Sequence, residues 1–199
     1  MTGNNVQSIQ DCQSELTNIK TFIANDPLGS MVKYLVSYSV IKSCGTIELV
    51  FKDIIYNHLI QHANQEAIAY FSKNIKESST NPKIDNICTL LKQININWNA
   101  SFKKAAADVD KRSLNSLVEL RNQLAHGNSI TSSIDDIIKY FACGCNILQV
   151  LDSIITKKAW ISGFFIFVLF TIFCNHAFIK FFILIYCIGN FIMAIYPLF

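Results

Sequence analysis

Glycine and proline are scarce in this chain of 199 residues, which contains 7 and 3 of them. Collagen-like repeats, flexible linkers and turn-rich β-proteins need more of both residues, so the composition argues against all three classes. The net charge of +3 is too small to indicate a polybasic nucleic-acid-binding chain. Because 51% of the residues are hydrophobic, intrinsic disorder is excluded as well. These values favour a folded protein built from helices.

The sequence also lacks paired cysteines at the spacing of a zinc site. Among its 7 cysteines only Cys143 and Cys145 lie close together, and side chains two residues apart on a helix point in different directions. An odd number of cysteines without a disulfide pattern favours reduced thiols in a cytosolic protein, most of them small core residues.

Charge is almost missing from the last 40 residues, where Lys180 is the only charged side chain and 31 residues are hydrophobic. Residues 159–179 and 181–199 each approach the roughly 20 residues that cross a bilayer as a helix. Asn175-His176 offers a turn, which would give a short first span and a longer second one. We therefore expect residues 159–199 to form a hydrophobic helical hairpin in the membrane.

Two lysines set the expected orientation of this hairpin. Lys157 and Lys158 directly precede the first apolar segment, and the positive-inside tendency keeps the preceding domain in the cytoplasm. The composition of the tail is also compatible with a misread AT-rich frame, which yields the same Phe-, Ile- and Leu-rich vocabulary. A buried dimerisation arm would be equally apolar.

The remaining chain is predicted to be all-α. We divide it into a polar N-terminal segment, residues 1–30, and a helical domain, residues 31–158, whose apolar residues recur at helical spacing. A long helix over residues 31–61 is expected, with Cys44-Gly45 as the place where it would kink. Short connections then favour a helix bundle.

Capping residues predict where the later helices begin and end. Asn81 and Ser113 are each expected to cap the start of a helix. The helix after Ser113 should end at His126-Gly127, because glycine commonly follows a helix C-terminus. Ser133 and Asp136 have the spacing of a capping box for a last helix reaching about residue 158.

The most informative motif lies at that helix end. Arg121 and His126 are separated by four residues, Asn122 follows the arginine, and Gly127 follows the histidine. This arrangement in a small all-α domain resembles the signature of HEPN domains. Residues 38–48, which contain Cys44-Gly45 and Glu48, make the chain look like the RiboL-PSP branch of that superfamily.

The resemblance covers roughly residues 30–158 and implies a four- to five-helix bundle. Many HEPN domains are metal-independent endoribonucleases of toxin and antiviral systems, and they typically act as dimers. By this resemblance Arg121, Asn122 and His126 would be catalytic, and Glu48 would support them. No cofactor or metal is implied.

The chemistry of these residue types agrees with RNA cleavage. Without a metal, the 2′-hydroxyl attacks its own 3′-phosphate, so the reaction needs a proton acceptor, a proton donor and a fixed positive charge. Imidazole gives or takes a proton near neutral pH, and a guanidinium can hold two phosphate oxygens. DNA lacks the attacking hydroxyl, so the substrate class would be RNA.

Helix geometry adds a reason to expect a dimer. Five residues place Arg121 and His126 about 140° apart around an ideal helix, with about 7.5 Å of rise between them. Asn122 shares a face with His126, since they are four residues apart. A two-fold axis passing this helix end would bring both copies' residues into one cleft.

Each of these residues also has a simpler interpretation. Arg121 could be a surface arginine paired with Glu119 or Glu48. His126 could simply be a residue at the helix C-terminus, where its positive form interacts favourably with the helix dipole. Glu48 lies in an apolar helix segment, where Arg121 would be its natural partner, although it could also face water.

Two further polar groups could bind a ligand. His58, His62 and Glu66 are spaced for one helical face and could ligate a metal, although a solvated polar stripe is the commoner outcome. A set of basic residues near loops could guide RNA phosphates or simply face water: Lys73, Lys76, Lys103, Lys104, Lys111 and Arg112.

The sequence thus predicts a membrane-tethered HEPN endoribonuclease of a defence or toxin system, acting on RNA as a homodimer and controlled by an antitoxin or sensor partner. The alternative is a non-catalytic HEPN module that dimerises or senses a partner, with the hairpin as the effector that perturbs the bilayer. Toxicity that survives changes at both Arg121 and His126 would favour the alternative.

The apolar tail makes the first testable prediction. Some thirty hydrophobic side chains cannot remain in water when each gains about 1.5–3 kcal/mol on burial. The full-length chain should pellet with membranes, resist alkaline carbonate extraction and need detergent, whereas residues 1–158 should stay in the supernatant. Full-length protein that is monodisperse without detergent would contradict the anchor.

Overall fold

The computed structural model describes residues 1–78 and 81–156. All regular structure in these two ranges is helical, which confirms the predicted all-α class. The expected hairpin of residues 159–199 lies outside the described residues. The described helices are α1 Gly3–Asn25, α2 Val32–Leu59, α3 Gln65–Phe71, a π-helical turn Ser72–Lys76, α4 Ile84–Ile94, α5 Ile96–Ala105, α6 Asp108–Ala125 and α7 Ile134–Thr156.

The first helix is a finding that the sequence pattern did not predict. Residues 1–30 were expected to be a polar segment outside the helical domain, but α1 packs along α2 and belongs to the same compact unit. Cys12, Leu16 and Ile19 are its buried apolar residues. Because these residues are separated by polar ones, the helix looks polar when its residues are averaged.

The long helix α2 confirms the expectation for residues 31–61, with slightly shorter bounds. It is helical throughout Val32–Leu59, so Cys44-Gly45 does not interrupt it. Its buried side packs against α1 and α6, and the buried residues Val40, Ile47 and Ile55 lie on that side. α2 is therefore the central helix of the core.

Two predicted helix starts are wrong. Helix α4 begins at Ile84, with Lys83 rather than Asn81 at the capping position. Helix α6 begins at Asp108, so Ser113 is a buried residue inside it rather than its cap. Asp108 and Asp110 occupy the first turn of α6, where negative charge is favoured by the helix dipole.

The start of α7 confirms the predicted capping box. The Ser133 hydroxyl accepts a hydrogen bond from the Asp136 amide at 3.1 Å, and the Asp136 carboxylate accepts one from the Ser133 amide at 3.0 Å. The Ser133 hydroxyl also donates to the Asp136 carboxylate at 2.8 Å, and this bond together with the one from the Ser133 amide lowers the pKa of Asp136. The cap fixes where the last described helix begins.

Helix α7 supplies a large share of the core. Its length and composition alone would allow it to cross a membrane, but its apolar stripe is used inside the bundle. Its apolar residues recur at helical spacing, as expected for the helical domain, and those of the stripe are buried: Ile134, Ile137, Phe141, Cys145, Leu148, Leu151 and Ile155.

A glycine sets how closely α7 approaches the other helices. A Cβ atom at Gly144 would lie 2.3 Å from Cδ1 of Ile47 on α2 and 3.6 Å from Cδ1 of Leu114 on α6. Ile47 and Leu114 are both fully buried, so a Cβ atom at position 144 would force the Ile47 side chain to shift inside the core. Gly144 therefore marks the point where three helices meet.

A matched pair of glycine substitutions tests this packing. Gly144→Ala should lower the free energy of unfolding by about 1–3 kcal/mol, because it overpacks a buried contact. Gly45→Ala should instead raise it by about 0.5–1 kcal/mol, since alanine favours the helix and a Cβ there meets nothing within 4 Å. Chemical denaturation of both variants measures the difference, and equal effects would contradict the close approach.

Candidate functional site

The end of α6 forms a Schellman motif that holds His126 in place. The Asn128 amide donates to the Gln123 carbonyl at 2.9 Å, and the Gly127 amide donates to the Leu124 carbonyl at 3.0 Å. Gly127 has φ 76°, a left-handed conformation that glycine adopts without strain. His126 is thus the exposed residue that closes the helix.

Asn122 lies one turn before His126 and has a partner outside α6. Its Oδ1 accepts a hydrogen bond from Nδ2 of Asn81 at 3.2 Å. The His126 amide in turn donates to the Asn122 carbonyl at 3.1 Å. The side chain of Asn122 and the backbone that carries His126 are therefore ordered by one continuous set of hydrogen bonds.

Arg121 lies within electrostatic reach of the central helix α2. It is half-buried, and its guanidinium forms no hydrogen bond or ion pair with any residue in the described ranges. Burial raises the pKa of the Cys44 thiol to about 11; the charge of Arg121 opposes this rise and the charge of Glu48 adds to it. Arg121 and Glu48 therefore both lie within electrostatic reach of Cys44 on α2.

The expected pairing of Glu48 with Arg121 is wrong, because Glu48 binds a lysine of its own helix. Nζ of Lys52 lies 2.6 Å from Oε1 of Glu48, and only 12% and 19% of these two side chains are exposed. Nζ of Lys52 also donates to the carbonyl of Ser78. The Glu–Lys spacing of four residues on one helix was the signal that could have revealed this partner.

The shielded pair has a consequence for the arginine. Because the Glu48 carboxylate is satisfied by Lys52, no direct contact with another described residue neutralises the positive charge of Arg121. A guanidinium without such a partner can donate to an anion such as a phosphate.

A groove next to this pair runs along α2 with a volume of about 460 Å³. It is lined by Gly45, Glu48, Leu49, Lys52, Asp53 and Lys76.

Two of the basic residues expected to guide RNA are held by internal contacts. Lys76 lies over the Tyr56 ring at 5.1 Å, and Lys111 donates to the Lys103 carbonyl at 3.0 Å.

The two histidines and the glutamate proposed as metal ligands do not lie on one helix. His58 belongs to the last turn of α2, His62 follows the end of that helix, and Glu66 lies in α3. His58 packs edge-on against Trp98 with ring centroids 5.1 Å apart, and burial lowers its pKa. The end of α2 at Leu59 breaks the spacing on which the metal hypothesis depended.

One residue of the site is not evident from the sequence. Asn81 has the pattern of a helix cap. Asn81 is 41 positions away from Asn122 in the chain, so no periodicity could connect them. Its contact depends on how α4 docks on α6, which only the folded chain reveals.

The left-handed glycine gives a prediction for the site. Gly127→Ala should lower the free energy of unfolding by about 1–2 kcal/mol, because an L side chain is strained at positive φ. Gly3→Ala is the matched control, since Gly3 has negative φ and open space around it. Denaturation midpoints compare the two, and an unchanged Gly127→Ala midpoint would contradict the Schellman geometry.

Comparison with known families agrees with this arrangement. The sequence model of the RiboL-PSP-HEPN family matches residues 7–157. No curated protein and no solved structure matches the chain. The matched segment includes most of α1, the central helix α2 and the α6 end that carries Arg121, Asn122 and His126. Because it spans well over half of the 199 residues, the chain belongs to the RiboL-PSP-HEPN family.

Proposed function

We propose that this protein is a metal-independent endoribonuclease. The observation that carries the proposal is the end of α6, where an arginine without an ionic partner in the described residues lies five positions before an exposed histidine. A half-buried guanidinium that no carboxylate neutralises is costly unless it serves to bind an anion. Family membership supports RNA as the source of that anion.

The three side chains have different roles in the proposed reaction. Arg121 holds two oxygens of the scissile phosphate and stabilises the charge that grows on them. His126 exchanges protons, because imidazole can act as both acid and base near neutral pH. Asn122 adds a neutral hydrogen-bond donor on the face it shares with His126.

The proposed step moves two protons, one away from the 2′-hydroxyl and one onto the 5′-oxygen. The 2′-oxygen forms a bond to phosphorus while the bond from phosphorus to the 5′-oxygen breaks. The 2′-proton goes to one imidazole, and the departing 5′-oxygen takes a proton from another. The products are a 2′,3′-cyclic phosphate and a 5′-hydroxyl.

This scheme needs an acid and a base at once, which supports a homodimer. One copy offers a single His126, and Arg121 is rotated about 140° from it on an ideal helix. A second copy related by a two-fold axis would supply the second imidazole and bring the arginines to the same cleft.

The proposed setting is a cytoplasmic domain tethered to the membrane by residues 159–199. The apolar tail, with Lys180 as its single charge, supports this tether. In a defence or toxin system such a nuclease would be held inactive by an antitoxin or sensor partner and released on infection or stress.

Changes at the two charged residues test the chemistry. His126→Ala and Arg121→Ala should each lower RNA cleavage by about 100-fold or more, while far-UV circular dichroism stays unchanged because both side chains lie outside the buried core. Arg121→Lys keeps the charge but loses the planar fork, so it should retain partial activity. His62→Ala, another exposed histidine, should cleave normally.

The products provide a second, independent check on the mechanism. Cleavage should persist in EDTA and leave 2′,3′-cyclic phosphate or 3′-phosphate ends, which end-labelling distinguishes from 3′-hydroxyl ends. Products with 3′-hydroxyl ends, or activity that Mg²⁺ must restore, would overturn the proposal.

Mixing unaltered and inactive chains tests the shared cleft. If each site draws one imidazole from each copy, adding His126→Ala chains to the unaltered chain should lower cleavage more than dilution alone does, because a mixed dimer keeps only one of the two imidazoles. The same amount of an unrelated protein should leave cleavage unchanged. A fully active monomer in analytical ultracentrifugation would contradict the shared cleft.

A further inference from the structure

Helix α4 is attached to α6 at two points that lie on one face of α6. The Ile84 amide at the start of α4 donates to Oδ1 of Asn115 at 3.0 Å. Nδ2 of Asn81, just before α4, donates to Oδ1 of Asn122 at 3.2 Å. Asn115 and Asn122 are seven residues apart, which is about two helical turns. These contacts explain why α4 starts at Ile84 without a capping side chain of its own.

Asn81 is itself held by the helix that follows it. Its carbonyl accepts a hydrogen bond from Nδ2 of Asn86 at 3.0 Å, and the adjacent Pro82 is buried. Its own Oδ1 is buried without a partner among the described residues. Asn81 therefore serves Asn122 as a donor from a fixed position.

This contact determines which end of the Asn122 carboxamide remains available to bind a ligand. Its Oδ1 is occupied by Asn81, so the two N–H groups of Nδ2 are the end left to bind something else. A donor pair beside Arg121 and His126 suits the negative oxygens of a phosphate. If the carboxamide turned round, its carbonyl oxygen would instead repel them.

We infer that Asn81 is a positioning residue that orients the Asn122 carboxamide so that its N–H groups face the scissile phosphate. This inference rests on the proposed nuclease function. It adds to the proposed active site a residue that lies outside α6, in the segment just before α4. Asn81 acts only through Asn122 and does not touch the RNA.

A double-mutant cycle in the full-length chain, purified in mild detergent, tests the inference. Asn81→Ala should lower kcat by about 10- to 100-fold, since small displacements of a catalytic group have effects of this size. KM, and the affinity for a non-cleavable 2′-O-methyl RNA, should change less than about 2-fold because Arg121 remains in place. Asn81→Ala combined with Asn122→Ala should be no slower than Asn122→Ala alone.

Asn95→Ala is the matched control. The side-chain oxygen of Asn95 accepts one hydrogen bond, from the Asn97 amide at 2.9 Å, and this bond caps α5 rather than contacting α6. Its effect on kcat should be small, and it should add to that of Asn122→Ala. A melting curve of every variant reports whether the bundle is still folded.

The outcomes separate this inference from the proposed function. Additive losses in kcat for Asn81→Ala and Asn122→Ala, or a loss confined to KM, would overturn the positioning role while leaving the nuclease in place. Absence of cleavage by the unaltered chain would overturn the nuclease and the positioning role together. In that case non-additive shifts of the melting temperature would still identify the contact between the two asparagines.

Discussion

The close approach of α7 to α2 and α6 is the constraint on which the remaining structure depends. Gly144 allows the α7 backbone to lie against Ile47 and Leu114, and this contact fixes the relative position of the two helices that carry the site. Cys44 is one turn before Ile47 on α2, and Arg121 is two turns after Leu114 on α6. A shift at the glycine would therefore reach the arginine through both helices, because packed interiors transmit displacement.

The electrostatics of the site follow from which charges are paired within the bundle. Glu48 is shielded by Lys52, and Lys52 also holds the Ser78 carbonyl, so a single ammonium satisfies both the carboxylate and the connection before α4. Arg121 is left with a neutral thiol as its neighbour. Arg121 on α6 therefore stays available, while Lys52 on α2 binds both Glu48 and the Ser78 carbonyl.

Local signals in the sequence predicted the features that depend on a few neighbouring residues. The Ser133–Asp136 cap, the apolar stripe of α7 and the helix end at Gly127 were all of this kind, and all are confirmed. Features decided by docking between helices were not predictable. The buried side of α1 and the contact of Asn81 with Asn122 both depend on which surfaces meet. The partner of Glu48 is different, since Lys52 lies four residues later on the same helix and the pairing follows from that spacing.

The thiol beside the arginine has a consequence for redox chemistry. Peroxides and disulfides react with a thiolate, and burial raises the pKa of Cys44 to about 11, so the reactive form is rare at neutral pH. Cys44 is also 2% exposed, which denies access to most oxidants. A thiolate at this position would place a negative charge within electrostatic reach of Arg121. The neutral, enclosed sulfur thus avoids offsetting the positive potential around the arginine.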